Sequence, residues 1–259
     1  MYRILAVIPA FNEQETVSGL LESLSHAQEQ LPFDILVIND ASADETGQLA
    51  RRSGLASVID LPCNLGVGGA VQTGFLYGLK NNYDIVFQFD ADGQHRSDEI
   101  FSLLDPLWKG EADVVIGSRF LKRHTGYRST WGRRVGIRLL EFMTRILIRQ
   151  VVTDCTSGFR AYNRSAIEFL AEHYPVDFPE PEAVILLGKH GFRMKEVFTP
   201  MNERMGGRSS ITFLRGPYYM VKVMLSMMMV ALRRSANSKS QDPNSKQISN
   251  SKTQIPCKS

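Results

Sequence analysis

Short apolar runs that close on polar or Gly-rich turns and alternate with helical patterns constrain this chain more than any other feature. Ile4 to Pro9 and Ile35 to Asn39 are β-branched and apolar, and between them Glu13 to Glu29 carries Val17, Leu20, Leu21 and Leu24 at helical spacing. The alternation continues with a strand over Ala56 to Leu61, a Gly-rich helix over Val67 to Leu79, a strand over Ile85 to Phe89, a helix over Ser97 to Leu107 and a strand over Asp113 to Gly117. Near-continuous apolar strands separated by helices predict an α/β fold, with a mostly parallel central sheet flanked by helices. Ligands of such sheets sit at the carboxyl ends of the strands, where this chain puts its acidic and Gly-rich turns.

The 259 residues, 43% hydrophobic and 22% charged, are enough to bury one large core. Four Lys and one Asp lie in residues 235–259, and without them the 30 basic and 27 acidic residues become 26 of each. A neutral folded part argues against nucleic acid as a partner. Cys63, Cys155 and Cys257 are odd in number, widely spaced and form no C-x-x-C pair, so neither a disulfide framework nor a zinc knuckle is expected. The first apolar run is too short for a signal peptide and is broken by Pro9. Arg215 and Lys222 interrupt Ile211 to Leu232, so no transmembrane helix is predicted. The expected organisation is a catalytic domain over residues 1–210, an amphipathic helical segment over 211–234 and a disordered polar tail over 235–259.

The strongest local feature is Asp90-Ala91-Asp92-Gly93-Gln94-His95 at the end of a buried strand. With Ala91 between them, the two carboxylates can turn to one point and hold a hard divalent cation, Mg²⁺ or Mn²⁺, with Gln94 as a further oxygen ligand. A metal so placed neutralises a diphosphate. A solvated turn is the plain alternative, since Asp and Gly are common turn residues.

Pro9-Ala10-Phe11-Asn12-Glu13 follows the first strand, and Asp40 to Thr46 follows the second. Two adjacent strand ends then offer acceptors suited to a nucleobase and a ribose. Helix capping competes as an explanation, and the residues alone favour capping for Asn12 and Asp44 and binding for Asp40. Asn64 to Ala70, with Gly66, Gly68 and Gly69, opens a helix whose amides can meet an anion, or whose glycines serve tight packing. It is not a dinucleotide fingerprint, because Val71 stands at the last Gly position.

Taken in order, PAFNE at 9–13, D-x-S-x-D-x-T at 40–46, N-x-G-x-G-x-A at 64–70, DADGQH at 90–95, GSR at 117–119 and DCTSGFRAY at 154–162 resemble family 2 glycosyltransferases. The likeness is closest to the branch related to dolichyl-phosphate mannose synthase. The resemblance implies a GT-A-like nucleotide-diphospho-sugar transferase fold and an inverting glycosyltransferase. It implies donor binding by Pro9, Phe11, Glu13, Asp40, Asn64, Gly68, Asp90 and Ala91, and metal binding by Asp90, Asp92 and Gln94. Asp92, Arg119, Asp154 and Arg204 match catalytic positions, and Arg119, Arg133, Ser157, Arg204 and Ser209 match acceptor positions. The chain departs from the family at Asn39, where an aspartate is usual, and at Ser210, where a lysine is common.

The acceptor implied by that branch is a polyprenyl phosphate or lipid-linked glycan. A phosphate is already anionic, so its transfer needs positioning and charge stabilisation more than a base. A saccharide hydroxyl would require a base, for which Asp154 and Glu182 are the candidates. A non-catalytic scaffold subunit that kept the fold is the reading from another class.

A lipid acceptor implies a peripheral protein at the cytoplasmic face of a membrane. On a helical wheel Arg134, Arg138, Arg145 and Arg149 fall within about 60°, with Leu139, Leu140, Met143, Ile146 and Leu147 opposite. Arg215, Lys222, Ser226 and Arg233 line up on a second helix rich in Met. Such helices suit an anionic membrane surface, an ordinary core-covering role or a homodimer contact.

Overall fold

A computed structural model describes residues 2–121, 131–175, 177–200 and 216–232, without the side chains of 131–135, 137 and 216–220. Seven strands alternate with helices: β1 (Ile4–Ala10), α1 (Val17–Gln28), β2 (Asp34–Asn39), α2 (Thr46–Arg52), β3 (Ser57–Asp60), α3 (Gly66–Lys80) and β4 (Ile85–Gln88). A 3₁₀ turn (Ser97–Glu99) then leads into α4 (Ile100–Trp108), β5 (Val114–Ser118), α5 (Trp131–Ile148), β6 (Arg160–Asn163), α6 (Arg164–His173), α7 (Pro179–Lys189), β7 (Met194–Phe198) and α8 (Gly216–Leu232).

The strands form one sheet in the order β3-β2-β1-β4-β6-β5-β7. All pairs are parallel except the two made by β6, which runs antiparallel to β4 and β5. Apolar residues alternate between the faces: Leu5 and Val7 of β1 enter one core, while Ile4, Ala6 and Ile8 enter the other. A strand buried on both sides needs this continuous hydrophobicity, which is why its sequence reads as an unbroken run.

Glycines let α3 approach the sheet closely, since a Cβ on Gly74 would lie 2.3 Å from Val7 Cγ1. Packing therefore explains the glycines in the body of this helix. No helix among the described residues is long and apolar enough to cross a membrane.

The orientation of β6 decides where the site forms. Its first residue, Arg160, pairs with Gln88 at the carboxyl end of β4. An antiparallel strand thus delivers its incoming turn, residues 154–159, to the edge where β1, β4 and β5 end.

Candidate active site

The turn after β4 is held from within. His95 Nε2 lies 3.0 Å from Asp90 Oδ2, and Gln88 Nε2 donates to Asp90 Oδ1 at 2.9 Å. The His95 ring stacks on Phe159, with centroids 5.0 Å apart. Enclosure pushes the Asp90 carboxyl up, but hydrogen bonding to His95 and Gln88 and the charges of His95 and Arg160 outweigh it, so Asp90 lies below the ordinary carboxylate range. Asp92 is 9% exposed and its Oδ1 accepts the Gln94 N–H at 3.0 Å. Gly93, at φ +75°, makes the turn in a left-handed conformation that favours glycine.

Two carboxylates and an amide oxygen in one turn are hard-oxygen donors of the kind that Mg²⁺ or Mn²⁺ takes. Each Asp90 oxygen accepts one side-chain hydrogen bond and keeps a second lone pair. Ala91 is buried at 3% exposure, its methyl turned into the core.

Gly158 closes against this turn: a Cβ there would fall 2.2 Å from Asp90 Oδ2 and 2.8 Å from Oδ1. The DCTSGFR segment is therefore fitted onto the aspartate it neighbours. Arg160, fully buried, holds the segment in shape by donating to the carbonyls of Cys155 (2.6 Å), Ser157 (2.7 Å) and Glu180 (2.8 Å). Ser157 is 1% exposed and its Oγ accepts the Phe159 N–H at 3.3 Å, which holds that hydroxyl within the loop.

Asp154 anchors Arg119 through a fork of two bonds, Nε to Oδ2 and Nη2 to Oδ1, both 2.7 Å. The Arg119 backbone N–H adds a third, at 3.1 Å to Oδ2. The Asp154 side chain is 0% exposed against 20% for Arg119, so the guanidinium reaches solvent and the carboxylate does not. Glu196 of β7 fixes the same loop, accepting from Thr153 N (2.9 Å), Thr153 Oγ1 (2.9 Å) and Asp154 N (2.8 Å). Burial pushes the Glu196 carboxyl up despite these bonds. Burial, with the charge of Asp154 beside it, also pushes the Cys155 thiol up to about 12.

On the donor side the turns after β1 and β2 are zipped together. Asn12 N–H donates to Ser42 Oγ (3.0 Å), Ala43 N–H to Asn12 Oδ1 (2.9 Å) and Glu13 N–H to Thr46 Oγ1 (2.8 Å). Neither Asn12 nor any other side chain caps α1, so the expected capping role gives way to a bridge between loops. Asp44 bonds the hydroxyl and the N–H of Thr46, as a capping residue does, and also accepts the Gln14 N–H at 3.2 Å. Capping at α3 is the work of Asp40, whose Oδ1 accepts from Leu65 N (2.7 Å) and Oδ2 from Gly66 N (2.8 Å). The anion that the first amides of α3 attract is thus the chain's own carboxylate.

Asn64 lies at the same junction, Gly68 is buried within α3, Pro9 and Glu13 are half-buried, and Phe11 is 47% exposed at the mouth. Asn39 has a structural reason for departing from aspartate, because its Nδ2 donates to Asp60 Oδ1 at 2.8 Å. A carboxylate there would face a carboxylate.

Arg133 lies in the first turn of α5, where side chains are not described, and Arg204 and Ser209 lie outside the described residues. Glu182 is 8% exposed in α7 and bonded to Ser226 of α8. Sequence reasoning did not single out Arg160, Glu196 or the orienting bonds of Gln88 and His95. Arg160, Gln88 and His95 stand in or beside recognisable motifs, whereas nothing in Met194–Phe198 marks Glu196.

Comparison with known proteins gives these features a family. The model of Glycosyl transferase family 2 matches residues 5–170. An uncharacterised protein of Methanocaldococcus jannaschii is 32% identical over 75% of this chain and 79% of its own length. The polyprenol monophosphomannose synthase of Mycolicibacterium smegmatis is 36% identical over 64% of this chain and 63% of its own. A similar fold, with a TM-score of 0.66 at 21% identity over 89% of this chain and 80% of the other, occurs in glucosyl-3-phosphoglycerate synthase from Mycobacterium tuberculosis, solved with Mn²⁺, UDP and glucosyl-3-phosphoglycerate.

Proposed function

The chain belongs to glycosyl transferase family 2 and is a glycosyltransferase of GT-A-like fold, and from that premise we propose that it transfers a sugar, with inversion, from a nucleotide-diphospho-sugar to a polyprenyl phosphate. The observation that carries the choice of acceptor is the state of the two carboxylates a hydroxyl acceptor would call on. Asp154 is fully buried in its fork with Arg119, and Glu182 is buried against Ser226. Both are engaged with partners inside the protein rather than turned toward a substrate, whereas a phosphate acceptor has no proton that must be removed. The relation to a polyprenol monophosphomannose synthase points the same way.

In this reading Pro9, Phe11 and Glu13 line the base and ribose pocket. Asp40 shapes that pocket by holding the start of α3, with Asn64 and Gly68 at its edge. Asp90, Asp92 and Gln94 hold Mg²⁺ or Mn²⁺, which supplies positive charge against the donor diphosphate. Arg119, presented by Asp154 with one edge toward solvent, offers its remaining N–H groups to phosphate oxygens. Arg133, Arg204 and Ser209 complete the acceptor side. An acceptor phosphate oxygen bonds to the anomeric carbon on the face opposite the diphosphate, the carbon–oxygen bond to the diphosphate breaks, and the nucleoside diphosphate leaves with the electron pair. Chemistry takes place at the cytoplasmic face of a membrane, where nucleotide sugars and lipid phosphate meet.

Calorimetric titration with UDP, GDP and CDP in Mn²⁺, repeated with EDTA, tests the donor site. Radiolabel transfer from the matching nucleotide sugar to a short-chain prenyl phosphate tests the acceptor. Metal-dependent binding of one nucleotide with transfer to the phosphate is expected. Binding of none of them by folded protein would return the scaffold reading to first place.

A further inference from the structure

The outer faces of α5 and α8 differ from what their sequences suggest. On α5, Leu140, Thr144 and Ile148 point inward, whereas Leu139 (39% exposed), Phe142 (59%) and Ile146 (59%) point outward. The exposed Arg138 and Arg145 occupy the same outer side, and Arg149 is exposed just past the helix end. At 100° per residue these positions span an arc of about 120°, with arginines along one border and apolar side chains filling the rest. The arginines and much of the apolar stripe are therefore neighbours, rather than lying on opposite faces.

α8 repeats the arrangement. Val223, Ser226 and Met227 are buried, while Val221, Leu225, Met228, Met229 and Leu232 are exposed along one arc with Lys222 at its edge. Both helices pack on α7 and on each other, so their outward faces lie side by side. Of the sixteen large apolar side chains exposed among the described residues, eight belong to these two helices. Such a concentration marks a surface that meets something apolar.

We propose that the joined outer faces of α5 and α8 form an interfacial platform that docks on an anionic lipid bilayer, with Phe142, Ile146, Leu225 and Met229 entering the acyl boundary and Arg138, Arg145, Arg149 and Lys222 meeting headgroup phosphates. This rests on the reading of the acceptor as lipid-borne and names the surface by which the enzyme reaches it. Charge decides the occupant. Glu141, half-buried, is the single acid in either helix, so a two-fold contact with a second copy would set arginines against arginines. An apolar stripe bordered by cations suits anionic headgroups instead.

The test is cosedimentation of the full chain with vesicles of phosphatidylcholine alone and with added phosphatidylglycerol, in low and high salt. The wild type should bind the anionic vesicles and be weakened by salt. Arg138→Gln/Arg145→Gln should lose about fivefold in partition per arginine removed. Phe142→Asp/Met229→Asp should lose at least tenfold on the same vesicles. All variants should keep the wild-type melting temperature and transfer to a short, water-soluble prenyl phosphate, since the altered side chains face solvent. Binding indifferent to phosphatidylglycerol or unchanged in the variants would overturn the proposal. So would a stable dimer that Phe142→Asp/Met229→Asp dissociates without any effect on vesicle binding. Absence of sugar transfer with vesicle binding intact would instead strike the catalytic reading.

Discussion

Gly158→Ala should disable donor binding by a side chain that touches no substrate. A Cβ at 158 would stand 2.2 Å from Asp90 Oδ2, more than 1 Å inside ordinary contact distance. The alanine loop has little room to retreat, because Arg160 clamps the carbonyls of Cys155 and Ser157 on one side and Phe159 is 1% exposed on the other. Asp90 must therefore move, and it can do so only by lengthening its bonds to Gln88 (2.9 Å) and His95 (3.0 Å). Overpacking in a filled site costs about 1–3 kcal/mol, and weakening hydrogen bonds to a charged group adds a comparable amount, so a loss of roughly 2–4 kcal/mol is expected in urea unfolding. A carboxylate misplaced by about 1 Å should lower Mn²⁺-dependent nucleotide binding and turnover on the order of a hundredfold. Gly19→Ala is the control, since a Cβ there meets nothing within 4 Å and the position is helical, so it should stabilise by about 0.5–1 kcal/mol. Gly158→Ala with stability within 0.5 kcal/mol of wild type and unaltered Mn²⁺-dependent binding would refute the view that this glycine seats the aspartate.

Arg160→Met should destabilise by more than about 3 kcal/mol in urea, because three buried carbonyls lose their donor together. Asp154→Asn breaks a buried fork and should cost roughly 3 kcal/mol. It should also reduce kcat far more than it weakens nucleotide binding in calorimetry, the opposite of the pattern expected for Asp92→Asn. Asp113 supplies the pH dependence. Burial pushes its carboxyl up, but the bonds and charge of Arg193, with Asn163, outweigh it and hold it below the ordinary range. Its stabilisation is therefore present above about pH 4 and fades as the pH falls through the lowered value, so the deficit of Asp113→Asn relative to wild type should shrink on acidification in pH-dependent melts. Cys155, buried with its thiol pushed up to about 12, should resist alkylation at pH 8 in the folded protein and react once urea unfolds it.

Alternation of apolar runs with helical patterns was legible because each period is written within one segment: two residues for a strand, 3.6 for a helix. The buried faces of β1 and β2, the placement of DADGQH at a strand end and the parallel character of the sheet follow from such local patterns and from the handedness of crossovers. The order of short motifs identified the family, since chemistry at a strand end demands particular residues at fixed spacing. Strands beyond Gly117 went unread: β6 is four residues long, and β7, half-exposed along most of its length, lacks the apolar run.

What no single segment could encode is which distant groups meet. Asp40 looked like a ligand because a strand-end carboxylate usually faces solvent, and only the fold brings the first amides of α3, some 25 residues on, within 2.7 and 2.8 Å of it. Glu196 gained its role because β7 lies beside β5, 42 residues from the loop it braces. The wheel of α5 grouped its arginines on one side, but Arg138 and Arg145 border the exposed Leu139, Phe142 and Ile146 rather than standing opposite them. Which arc turned outward depended on α7 and α8, elements further along the chain. Local periodicity determined the elements and the edge where chemistry gathers, and the antiparallel insertion of β6 determined which residues gather there, because hydrogen-bond partners are chosen by strand order rather than by sequence distance.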